Sequence, residues 1–284
     1  MSLPALVLVV CAAALHAGWN ALAKRGDDQI VFLWCATIAS TLAVTPLGLW
    51  TLAHAGLPRA AVPFIVATIV VHVLYFYALG RAYASGAYSL VYPVARGLGV
   101  ALVPLLALLL FDERLSPLGT LGVVLVVAGI AALHRLPGHV AASPAQPGRA
   151  LLWPVLTGLT IASYSLVDKA GVTRMDPVPY IMLMEIGCAL LGLPLLWLRP
   201  RAVRRELGRW RTIVLAGVMS TLAYTLVLFA FRMSKTGYVV ATRELSIVLS
   251  ALIGSLWLRE GRLAPRLAGA AIVLAGVACI AMAR

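Results

Sequence analysis

ERLSPLGTLGVVLVVAGI, residues 113–130, and EGRLAPRLAGAAIVLAGV, residues 260–277, are two copies of one pattern. At an offset of 147, Glu113 falls on Glu260, Gly122 on Gly269, Val126 on Val273 and Ala128-Gly129 on Ala275-Gly276. Working outward, the same offset carries Arg96 onto Arg243. Trp19 and Lys24 fall on Tyr164 and Lys169 at an offset of 145, and Pro46 on Pro194 at 148. The drift needs only small insertions, including about one helical turn before Arg96. The chain is an internal duplication. In each copy the two glycines lie seven residues apart and share a helix face, so the helices bearing them can approach backbone to backbone.

The composition fixes the solvent. Of 284 residues, 62% are apolar and 12% charged, against about half and about 25% in a soluble domain. Mean hydropathy is +0.97. A spanning helix takes roughly 20 apolar residues. Apolar runs between charged or Pro/Gly breaks predict ten, over 3–23, 30–52, 60–80, 85–111, 117–134, 150–168, 177–198, 211–231, 236–258 and 264–283. The fold class expected is therefore an all-α integral membrane protein of ten transmembrane helices in two inverted five-helix repeats. The domain reading is 1–134, a connecting loop at 135–149, and 150–284. Five spans is an odd number, so the second copy enters the bilayer upside down relative to the first, and in such folds the substrate site lies near the midplane between repeats. The N-terminus lacks the basic segment of a secretory signal, so the first run is expected to stay as a spanning helix.

The net charge of +13 does not indicate a nucleic-acid partner, because Lys and Arg sit in short segments between apolar runs. The partners expected are the lipid bilayer and a small-molecule substrate, with no nucleic acid; monomer and homodimer stay open. No cofactor or metal is expected: Cys11, Cys35, Cys188 and Cys279 lie in apolar runs without metal-type spacing.

Charges inside the bilayer are expensive and so diagnostic. Arg96 lies roughly 15 Å along helix four and Arg243 roughly 10 Å along helix nine, too deep to reach headgroups easily. Two guanidiniums facing one cavity make an anion site, because Arg grips a carboxylate or phosphate with paired hydrogen bonds. Tyr88, Tyr92 and Arg96 share a face of helix four, and Arg243 and Ser246 a face of helix nine. Trp19 and Asn20 on helix one and Tyr164 on helix six complete the substrate-contacting set. Tyr75, Tyr77 and Tyr224 add aromatic walls. Glu185, Glu244, His16 and Asp168 are the proton-coupling candidates. Glu244 cannot face its neighbour Arg243, since adjacent helix positions point about 100° apart; it pairs with Arg96, Lys169 or another base, or is protonated. The plain alternative for these charges is a set of internal salt bridges fixing helix register. Ser116-Pro117 supplies an N-cap and first-turn proline for helix five, and Glu113 and Glu260 brace the turns.

With these residues in hand, the chain resembles the EamA family of the drug/metabolite transporter superfamily. The likeness rests on the two five-helix halves, on Trp19/Lys24 and Tyr164/Lys169, and on Glu113 with Gly122 and Gly129 against Glu260 with Gly269 and Gly276. The glycine spacing is also similar to the last helix of small multidrug resistance proteins. Those carry an essential first-helix Glu, where this chain has His16 and Asn20, which speaks against proton-for-cation drug exchange by that route. The resemblance implies a transporter in a plasma (bacterial inner) membrane with both termini inside. The charge count points the other way: 14 Lys and Arg lie in connections on the side opposite the termini and 7 on theirs.

The function expected is a secondary transporter, an exporter by preference, of a small anionic or zwitterionic metabolite such as an amino acid or organic acid. A flippase of a phosphate-bearing lipid carrier is the alternative. A membrane-embedded enzyme is less favoured, since the chain holds neither a His-Glu-x-x-His run nor a Gly-x-Ser-x-Gly turn.

Overall fold

The computed structural model describes residues 1–23, 26–85, 88–134, 152–249 and 263–283, with backbone only at 83–85, 88–94, 133–134 and 263–267. The described residues form helices and their connections: α1 Leu3–Ala23, α2 Gln29–Ala55, α3 Val62–Ser85, α4 Tyr88–Phe111, α5 Pro117–His134, α6 Leu152–Val172, α7 Pro177–Trp197, α8 Pro200–Leu207, α9 Trp210–Met233, α10 Thr236–Arg243 and α11 Leu263–Met282. Five helical stretches, 3–23, 29–55, 59–82, 177–197 and 210–233, are long and apolar enough to cross a membrane. Their outer faces are apolar: Leu42, Leu47, Trp50, Leu74 and Leu190 are all exposed. A soluble monomer rarely leaves so large an apolar area open to water; in a bilayer it meets lipid.

Local chemistry sets the helix ends. Asp28 caps α2 by accepting from the Val31 N–H at 3.2 Å, and Asp176 caps α7 through Val178 at 3.0 Å, with Pro177 in its first turn. Ser116 Oγ accepts from the Gly119 N–H at 3.2 Å, the cap expected for α5.

Helices from the two halves interleave. α5 packs on α11, α1 on α9, α3 and α4 on α6, and α2 on α7. The α5–α11 contact is the most extensive among the described residues. A Cβ on Gly122 would stand 2.7 Å from the Gly276 carbonyl oxygen, and one on Gly276 would stand 2.7 Å from that of Gly122. Only hydrogen fits at that crossing.

Two expectations need correction. The predicted helix over 236–258 is broken: α10 stops at Arg243, Glu244 forms a turn, and the chain is helical again over 245–249. Its later part lies outside the described residues. The predicted break between the runs 177–198 and 211–231 is itself helical: it contains α8, because Pro200 starts a turn whose Ala202 and Glu206 find buried seats. Helix six also runs to Val172, so Asp168 and Lys169 sit inside it rather than at its edge.

Candidate functional site

The break at Glu244 builds the centre of the molecule. On an unbroken helix Arg243 and Glu244 would diverge; here the turn brings Glu244 Oε1 to 4.0 Å from Arg243 Nε and 3.3 Å from Arg96 Nη1. The expectation that Glu244 could not approach its neighbour is therefore wrong, and its pairing with Arg96 holds. All three residues are buried. Arg96 also places Nη2 2.7 Å from His16 Nε2, while Trp19 Nε1 lies 3.2 Å from His16 Nδ1. A neutral imidazole has one acceptor nitrogen, so it serves one of these two donors fully, and the guanidinium is the nearer. Arg243 donates to the Tyr164 hydroxyl at 3.3 Å and lies 5.8 Å over its ring.

A cavity of about 90 Å³ adjoins this cluster, with His16, Trp19, Tyr164, Glu185 and Arg243 in its wall. A cavity of that volume holds a few waters or a ligand of a few heavy atoms. Its aromatic side is continuous: His72 stacks on Tyr164 at 4.5 Å, Tyr75 meets Tyr164 edge-on at 5.4 Å, and Tyr224 closes on His72 at 5.5 Å. Glu185 accepts from Thr221 Oγ1 at 2.6 Å; its other oxygen has no hydrogen-bond partner, and no cation forms an ion pair with it among the described residues.

The remaining sequence candidates fall elsewhere. Asn20 is not in the cavity wall; its amide donates to the His16 carbonyl at 2.7 Å, satisfying its own helix. Ser246 is buried beyond Glu244, with no hydrogen-bond partner for its hydroxyl among the described residues. Asp168 stands behind the wall, accepting from Tyr180 at 2.9 Å and from Tyr224. The Tyr88 and Tyr92 side chains, Lys24 and Glu260 lie outside the described residues. Glu113 does brace a turn, that of α10: it accepts from the Thr236 N–H at 2.6 Å and pairs with Lys169 at 3.4 Å.

Sequence reasoning missed His72. The available signal was Thr68, His72, Tyr75 and Phe76 at helical spacing, one polar stripe on an otherwise apolar helix.

Residues 148–282 match the EamA-like transporter family, and residues 28–126 match the Small Multidrug Resistance protein family. The second half of the chain is thus similar to EamA-like transporters, and much of the first half to small multidrug resistance proteins. The chain is a multi-pass membrane protein and a transporter. No curated protein matches it. A crystal structure of a protein shares the fold, with a TM-score of 0.72 at 17% identity over 98% of this chain and 96% of that one.

Proposed function

We propose that this chain is a member of the EamA-like transporter family and a secondary transporter that exports a small anionic or zwitterionic metabolite by alternating access. It would span a bacterial inner membrane ten times, as repeats 1–134 and 150–284 of opposite orientation. The packing supports that topology. Exchanging each helix of one half for its counterpart turns the α1–α9 contact into α6–α3 and leaves α2–α7 and α5–α11 unchanged.

The observation that carries the substrate class is the charge of the central cluster. One guanidinium from each half, Arg96 and Arg243, converges on the single carboxylate of Glu244. Among the described residues two guanidiniums meet one carboxylate in this cluster, and Arg243 presents its positive charge at the cavity wall. A carboxylate entering the cavity would meet that charge and accept paired hydrogen bonds. The aromatic side would hold the rest of a small metabolite.

Glu185 is the acid we assign to proton coupling. Glu244 is engaged by guanidinium and Asp168 by two tyrosines, whereas Glu185 can exchange a proton without breaking an ion pair.

Thermal stabilisation of the purified protein across soluble carboxylates, amines and lipid phosphates tests the class. Stabilisation by amino or organic acids that vanishes in Arg243→Gln is expected. Stabilisation by amines alone, or by lipid phosphates alone, would overturn the assignment.

A further inference from the structure

The connection between α7 and α9 carries six arginines, at 199, 201, 204, 205, 209 and 211. None reaches the central cavity. Folding into α8 sorts them. Ala202 and Glu206 face inward, at 9% and 1% exposure, while Arg201, Arg204 and Arg205 share the outer face. Arg199 is held by Asp28 at 3.1 Å and Arg209 by Asp27 at 3.3 Å. Glu206 accepts the Asp28 N–H at 2.7 Å. The helix is thus fastened at both ends and along its inner face to the connection before α2. Its three outer guanidiniums form no ion pair among the described residues.

The depth of this helix follows from the chain on either side. α7 ends at Trp197 and α9 begins at Trp210, two spanning helices whose indoles are 88% and 57% exposed. Exposed Leu198 and Leu207 stand beside them. Indoles with such flanks settle at the boundary between hydrocarbon and headgroups, which sets α8 at the level of the lipid phosphates.

We propose that Arg201, Arg204 and Arg205 form a binding site for the phosphate of an anionic phospholipid, whose acyl chains lie against the apolar residues flanking α8. Three guanidiniums on one turn and a half match clustered phosphate oxygens. The adjoining apolar residues suit a lipid and have no use for a soluble phosphate. Each basic residue at a negative membrane surface strengthens binding about five-fold, so the three together give roughly a hundred-fold.

The test uses the full chain in nanodiscs of phosphatidylcholine with a minor share of phosphatidylglycerol, with retained lipid read by native mass spectrometry. The wild type is expected to retain phosphatidylglycerol over phosphatidylcholine. The variant Arg201→Gln/Arg204→Gln/Arg205→Gln is expected to lose that preference by ~100-fold. Arg59→Gln/Arg114→Gln, at the other end of the bundle, is expected to keep it. If the triple variant fails to fold, Arg204→Gln alone is expected to lose about five-fold. Equal retention of the two lipids by the wild type, an unchanged preference in the variants of α8, or an equal loss in the control pair would overturn the site. Competition by millimolar inorganic phosphate alone would overturn the lipid assignment.

Discussion

Arg96, Glu244 and Arg243 cannot be valued one at a time. Removing one partner of a buried ion pair leaves the other uncompensated, at a cost of about 3–5 kcal/mol. Glu244→Gln is therefore expected to destabilise the purified protein by about 3–5 kcal/mol, read as a fall in its unfolding midpoint, because it strands two guanidiniums. Arg243→Gln removes a charge that Glu244 can still find in Arg96. It is expected to remain folded and inserted while transport into proteoliposomes falls about a hundred-fold or more. Normal transport by this variant would leave the internal salt-bridge reading standing. Glu185→Gln keeps an acceptor for Thr221 and loses the proton. Counterflow exchange of substrate is expected to survive in it, while accumulation driven by a pH gradient disappears. Accumulation at the wild-type level would move the coupling role to another acid.

At the scale of the element, the α5–α11 crossing and the interrupted α10 do different work. The crossing is a fixed joint. A side chain on Gly276 meets backbone, not the flexible end of a neighbour, and the overpacking is expected to cost about 3 kcal/mol or more for Gly276→Leu. A Cβ on Gly97 of α4 meets nothing within 4 Å. Gly97→Ala is expected to raise stability by up to about 1 kcal/mol through helix propensity. Thermal unfolding of the two variants side by side checks both signs. The turn at Glu244 instead interrupts its helix. Irregular backbone at membrane depth survives only where protein or a cavity surrounds it, and here it swings a carboxylate back between two arginines that a regular helix would have kept from it.

The described residues show two ends, and contacts place several connections at one or the other. The Met1 amino group donates to the Ala283 carbonyl at 2.6 Å, Lys235 donates to the Arg114 carbonyl, and Arg232 pairs with Asp176 at 3.6 Å. At the other end Asp27 and Asp28 meet Arg209 and Arg199. Reporters fused after Ala283 and after Gly208 are therefore expected to report from opposite sides of the membrane. With the arginine-rich end held in the cytoplasm, the fusion after Ala283 is expected to be active outside; activity of the Gly208 fusion there instead would reverse the orientation.

Much of this was legible in one dimension. Apart from the broken run over 236–258 and the unexpected α8, the hydropathy runs gave the described helices with small shifts at their ends, and the match of Gly122 and Gly129 to Gly269 and Gly276 gave the α5–α11 crossing, because period and residue size are properties of the chain itself. Arg96 and Arg243 were conspicuous for the same reason: a charge in an apolar run carries its cost wherever the helix is placed. Which carboxylate would answer them was not legible. A periodic reading assumes an unbroken helix, and the turn at Glu244 arises from interactions between helices that no local pattern records. Tertiary packing alone put His72 against Tyr164 and left Glu185 in the cavity wall without a cation among the described residues. Sequence determined what had to be buried in lipid and what could not be left there alone; partnership among the buried polar groups was decided only when helices from the two halves came to share one interior.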